Sequence, residues 1–187
     1  MSAVTRLTLI THAITDAVQT ARFAADEPLN ELGLRAVQKA DHSALRADVV
    51  QIGPEARTAQ TAAQLGLTGD TEPALRDLDC GDWTGSEMTD LAPESLMGWL
   101  GDPEYRGHQG ESIIQVIERT RTWMNGLAEH PERIIAVTHP AIVRSAILIA
   151  LAAPPISFWR LDIPPLSATT LHQRGGSWTL REAAHSL

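Results

Sequence analysis

Two histidines stand at the ends of apolar runs. His12 directly follows "LTLIT" at residues 7–11. His139 directly follows "RIIAVT" at 133–138 and precedes Pro140. Arg57 lies shortly after a further apolar run, "VVQIG" at 49–53. A neutral imidazole can act as a nucleophile or a base, and a guanidinium presents a planar fork that suits phosphate or carboxylate oxygens. Arg57 and His139 also fall at or near predicted helix N-termini, whose free N–H groups and positive dipole favour an anion. Singly, each residue is ordinary: a histidine after a strand is commonly a polar loop residue, and an arginine in a first helical turn is commonly solvated. Together, two imidazoles and a guanidinium delivered after separate strands point to an anionic ligand, with a phosphate group the natural choice. A metal centre is the competing reading, but HxH and HExxH spacings and a cysteine cluster are all lacking. There is no G-x-S-x-G elbow, no G-x-x-x-x-G-K-[ST] loop and no G-x-G-x-x-G fingerprint.

The elements that must position these groups can be read from the hydrophobic pattern. Residues 5–10, 49–53 and 133–138 read as strands. Helical spacing runs over 30–47, 55–66, 110–130 and 140–152, with Gly66 ending the second of these and Pro140 opening the last. Ser112 and Gln115 have capping-box spacing. "SATTLHQRG" and "SWTLREA" read as two strands joined around Gly175 and Gly176. Residues 70–108 are less regular, which suits a functional loop region. Strands alternating with helices predict an α/β fold, a three-layer sandwich with a mostly parallel central sheet and helices on both faces. In such sheets ligands gather outside the carboxyl ends of the strands, where His12, Arg57 and His139 lie. The pattern predicts one domain over 1–187, with a lid or insert at about 86–108.

Composition narrows the partners. The chain has 187 residues, 43% of them hydrophobic, and a formal net charge of −8. That balance argues against a nucleic-acid backbone as main partner. Cys80 is the only cysteine, so an internal disulfide is excluded and a reducing, cytoplasmic location is expected. The first apolar run is too short for a secretory signal, and no stretch approaches the roughly 18 apolar residues of a membrane span.

At this point the residues resemble the histidine phosphatase superfamily, its phosphoglycerate mutase-like branch. "LTLITHAIT" resembles the opening Arg-His-Gly-x-Thr motif, and "DEPLNELGLRAV" the segment leading into the first helix. "GPEARTAQTAAQLG" resembles Ser-Pro-x-x-Arg-x-x-Gln-Thr-Ala, and "LRDLDCGDWTG" resembles Leu-x-Glu-x-x-Phe-Gly-x-Trp-Glu-Gly. "GESI" and "IIAVTHPAIVRSAI" match the later stretches. The matches run in family order from residue 7 to about 148. The resemblance implies a phosphoglycerate mutase-like fold and a phosphomonoester hydrolase that needs no metal or other cofactor. His12 falls on the nucleophile that becomes phosphohistidine, Arg57 and His139 on partners of the phosphoryl oxygens, and Asp77 on the acid that protonates the leaving oxygen. The chain's length favours a phosphatase over a glycolytic-type mutase.

Three positions depart from the pattern: Thr11 for arginine, Ala13 for glycine and Asp77 for glutamate. Loss of one oxyanion-type contact typically costs about 10²–10³ in rate. Activity is therefore expected to be weak or atypical, the alternative being an impaired member that binds a phosphorylated or anionic metabolite. The expected substrate-binding set is Arg57, Thr11 and Arg22, with Arg22 placed to compensate for position 11. Trp83 and Trp99 are read either as pocket walls or as core, Cys80 as packing, and His42, His108, His130, His172 and His185 match no motif. The expected partner is a small phosphorylated metabolite, without nucleic acid or membrane; self-association as a homodimer is left open.

Overall fold

The computed structural model describes residues 4–127 and 132–187. Apolar runs rich in β-branched residues form the strands that carry the site. β1 (Thr5–Thr11) lies between β4 (Arg133–Thr138) and β5 (Ser167–Arg174), and β2 (Val49–Ile52) pairs with the far side of β4. A two-residue strand, β3 (Asp70–Thr71), borders β2, and β6 (Ser177–Ser186) borders β5, giving the order β3-β2-β4-β1-β5-β6. The β1–β4, β2–β4 and β2–β3 pairings are parallel; β1–β5 and β5–β6 are antiparallel. The sheet is thus mixed, with β5 alone running against the rest. The β5–β6 hairpin turns at Gly175 and Gly176, whose φ values of +58° and +85° belong to the left-handed region where glycine carries no Cβ penalty.

Alternation along the strands divides the core between the two faces. Leu7, Leu9, Ile134 and Ala136 pack with helices α5 (Ile113–Leu127) and α6 (Pro140–Leu151). Ile10, Ile135 and Val137 pack instead with α2 (Glu31–Lys39) and α3 (Ala56–Gln64). Helices therefore cover both faces, as the sequence pattern predicts. The capping box forms: the Ser112 N–H donates to Gln115 Oε1 at 2.9 Å and the Gln115 N–H to Ser112 Oγ at 3.2 Å. The predicted end of this helix at 128–130, with His130, lies outside the described residues. The helix expected over 30–47 stops at Lys39, because local bonds at Asp41 and His42 compete with the helical ladder.

The irregular stretch 70–108 resolves into β3, three 3-10 turns and one short helix, α4 (Pro93–Gly101), which lies within the 86–108 segment; a separate one-turn helix, α1 (Asp16–Gln19), follows His12. A Cβ at Gly33 would run into the Ile14 carbonyl, so α2 sits directly against the backbone that follows His12. Among the described residues, no helix is long and apolar enough to cross a membrane.

Candidate active site

The two histidines meet because their strands are neighbours in register. Thr11 pairs with Thr138, and the His12 N–H donates to the Thr138 carbonyl at 2.9 Å. The next residue on each strand is a histidine. Their rings stand 5.2 Å apart, centroid to centroid, and both are buried. His12 Nδ1 lies 2.7 Å from the Ala13 carbonyl, an oxygen that can only accept. Nδ1 therefore carries the proton, and Nε2 keeps its lone pair. Burial first, then the neighbouring His139 and Arg57 charges, push the His12 pKa down to about 3. The ring is thus a neutral imidazole at physiological pH.

His139 has the opposite state. Its Nε2 is 2.7 Å from Glu55 Oε2, and its Nδ1 is 3.3 Å from Asp77 Oδ2. Burial would lower its pKa, but the two carboxylates outweigh burial and raise it. Asp77 is the hub of the cluster. Its Oδ2 also accepts from Arg57 Nη2 at 2.7 Å. Although burial opposes ionisation, the charges of His139 and Arg57 hold this carboxyl well below the usual range. The Leu78 N–H donates to Asp77 Oδ1 at 2.8 Å. Arg57 itself is only 2% exposed, and its Nη1 donates to the Ala25 carbonyl at 2.9 Å. It reaches the cluster from the first turn of α3.

A cavity of about 200 Å³ opens over His12 and Asp77. Arg22, Arg144, Trp99 and Trp159 are among its walls. Arg22 is drawn partly aside by Glu27, at 3.5 Å. Arg144, on α6, donates from Nε to the Leu161 carbonyl at 2.9 Å and stacks over Trp159, 5.2 Å from the ring centroid. Met88 and Trp99 bring the 86–108 segment to the same cavity. A larger hollow of about 700 Å³ lies between α5 and the β2 side of the sheet, and among the described residues no histidine or cysteine lines it. The smaller cavity is the one that His12 and Asp77 line. Among the described residues, no group of three or more His, Cys, Asp or Glu side chains is placed to hold a metal ion.

His12, Arg57, Asp77 and His139 are thus brought together, and Arg22 lines their cavity. Thr11 is not part of that group. Its hydroxyl donates to the Pro164 carbonyl at 2.8 Å and accepts from the Ser167 N–H at 3.0 Å. The expected phosphate contact at position 11 is replaced by a strap between β1 and the entry to β5. Ala13 is fully buried, and its N–H donates to Thr61 Oγ1 at 3.1 Å. Cys80 borders the cavity, with burial pushing its thiol up to about 12, so it is an inert thiol at this site. Two participants were missed from sequence. Glu55, in "GPEAR", carried no motif signal. Arg144, in "THPAIVR", lies on the face of α6 that returns toward His139, a placement its spacing could have signalled.

The model of the Histidine phosphatase superfamily (branch 1) matches residues 7–185. Glucosyl-3-phosphoglycerate phosphatase of Mycobacterium tuberculosis (strain ATCC 25618 / H37Rv) is 29% identical over 175 residues, spanning 82% of this chain and 78% of that protein. A protein of Proteus mirabilis (strain HI4320) named "Probable phosphoglycerate mutase" is 26% identical over 167 residues, spanning 82% and 77%. The solved structure of a mycobacterial glucosyl-3-phosphoglycerate phosphatase complexed with VO3 superposes with a TM-score of 0.87 at 24% identity, covering 97% of this chain and 99% of that one. With the fold, the motif order and the family model in agreement over nearly its whole length, the chain belongs to the histidine phosphatase superfamily, branch 1.

Proposed function

We propose that this protein is a phosphomonoesterase that works through a phosphohistidine on His12. The observation that carries the reading is the state of that ring: a neutral imidazole with Nδ1 anchored on Ala13 and Nε2 free, beside His139 and Arg57, at the wall of a cavity. In the first step the Nε2 lone pair attacks phosphorus. A P–N bond forms, the ester P–O bond breaks, and the electron pair leaves with the alkoxide oxygen, which takes a proton from Asp77. In the second step water attacks phosphorus, the Asp77 carboxylate accepts its proton, the P–N bond breaks with its electron pair returning to His12 Nε2, and inorganic phosphate leaves. Side chains of this chain supply every group these steps use.

The free site holds Asp77 ionised, so the acid must be loaded on binding. A phosphoryl group that takes over Arg57 and His139 removes the two cations that stabilise the carboxylate and adds negative charge beside it. Both effects raise the proton affinity of Asp77, so substrate binding and proton uptake go together. The relatives' names point to phosphorylated hydroxy acids. For such a leaving group, Arg144 and Arg22 on the cavity wall are the cations a carboxylate would meet.

The test is hydrolysis of phenyl phosphate across pH 4–8 by the wild-type protein and His12→Ala, with acid-labile phosphate measured on the quenched protein. Loss of both turnover and label in His12→Ala is expected. Equal rates in the two proteins would overturn the reading. A second reading, an impaired member that only binds an anionic metabolite, is favoured by the commitment of Thr11 to Pro164 and Ser167. Phosphate binding without label in the wild type would establish it.

A further inference from the structure

Glu55 is the N-cap residue of α3, yet its side chain makes no capping bond to its own helix. That duty falls to Asp26, whose Oδ1 accepts from the Ala56 N–H at 2.8 Å. The Glu55 carboxylate is turned the other way and joins two separate segments of the site. Oε1 accepts from the Asp77 N–H at 2.9 Å, and Oε2 lies 2.7 Å from His139 Nε2. Its backbone is fixed as well, since its carbonyl accepts from the Thr58 hydroxyl at 2.7 Å. Gly53 leaves room for the contact: a Cβ there would lie 3.3 Å from His139 Nε2.

We propose, resting on the phosphatase reading above, that Glu55 is a positioning residue: it clamps the His139 ring against Asp77 and keeps it a cation beside His12. Position 11 offers no guanidinium, and Arg57 is bonded to Asp77. The cation whose ring stands 5.2 Å from that of His12 is His139, which at neutral pH is charged only if carboxylates hold it so. From α3 it is faced by Glu55 and Arg57, from the loop before Leu78 by Asp77, and from the end of β1 by His12. Arg57 and His12 give it no proton-holding contact, so its charge rests on the two acids. Asp77 must be released from the pair when a phosphoryl group arrives and the acid is loaded. Glu55, which touches neither nucleophile nor acid oxygen, is then the carboxylate that stays with the ring. A charged His139 serves the reaction twice: it keeps His12 unprotonated and offsets charge on the phosphoryl oxygens.

The experiment compares wild type, Glu55→Gln and Glu55→Asp. The His139 and His12 rings are titrated by NMR, and the affinity for inorganic phosphate is measured across pH 5–9. In Glu55→Gln the His139 ring is expected to lose its proton roughly 1 unit lower, and phosphate binding at pH 8 to weaken about tenfold relative to wild type, with Glu55→Asp in between. Unchanged His139 titration in a folded Glu55→Gln would overturn the proposal and leave Glu55 a structural residue. Tighter phosphate binding at every pH would overturn it too, marking Glu55 as a competitor for the anion site. The ring titration needs neither turnover nor ligand. A shifted His139 titration in a protein whose His12→Ala variant hydrolyses esters as fast as wild type would sustain the role of Glu55 while the phosphatase reading fell.

Discussion

Replacing His12 by asparagine should make the protein more resistant to acid. The side chain is 4% exposed and its pKa is pushed from 6.5 down to about 3, chiefly by burial. In the unfolded chain the same ring takes up a proton near pH 6.5. A histidine with a depressed folded pKa contributes stability that is present above the unfolded value and is lost as pH falls toward the folded one. Between pH 6.5 and 4.5 the unfolded state therefore gains a proton that the folded state refuses. Each unit across that window costs about 1.4 kcal/mol, or roughly 2–3 kcal/mol in all. Asparagine can still donate to the Ala13 carbonyl but cannot titrate. His108 and His172 are also lowered by burial and contribute to the slope, but they are present in both proteins and cancel in the comparison. Urea unfolding of wild type and His12→Asn at half-unit steps from pH 7 to 4.5 gives the difference directly. That difference should grow in favour of the variant by about 2–3 kcal/mol as the solution is acidified. A difference that stays constant over the window would refute the reasoning, because His12 would then titrate normally and could not be the desolvated nucleophile described above.

Thr11→Val should lower stability by about 1–3 kcal/mol, because it leaves the buried Ser167 N–H without an acceptor, while phosphate affinity stays within about twofold. A thermal melt and a phosphate titration check this; weaker phosphate binding at unchanged stability would return Thr11 to the anion site. Arg144→Met should raise KM about tenfold for a phenyl phosphate bearing a ring carboxylate and leave unsubstituted phenyl phosphate nearly unaffected, the cost of losing one charge-assisted contact. Steady-state kinetics on the two esters decide it, and an equal loss for both would place Arg144 on the phosphoryl group instead.

The sheet and its helices were legible because apolar alternation is a long-range pattern with little dependence on detail. The meeting of His12 and His139 followed from it, since both directly end strands that the fold makes neighbours. What escaped was side-chain direction. A threonine beside His12 reads as a weak substitute for arginine, and only the approach of Pro164 and Ser167, more than 150 positions away, shows where its hydroxyl goes. Glu55 was silent for a related reason. An acid at a helix start ordinarily serves the helix dipole, and nothing local announces that Asp26 has taken that duty. The helix after Asn30 was read too long because apolar spacing continues past the point where Asp41 and His42 turn the chain aside.

The spacing of the two imidazoles is set by backbone register between β1 and β4, two central strands of the sheet, and not by loops. Loops drift readily, whereas a one-residue slip between buried parallel strands would expose an entire hydrophobic face. The pair is therefore insulated from change around it. Side chains on the flanks, at positions such as 11 and 13, can be exchanged while the rings keep their separation. What the cavity grips can thus change with its walls, because the pair of rings at its centre is held by the sheet itself.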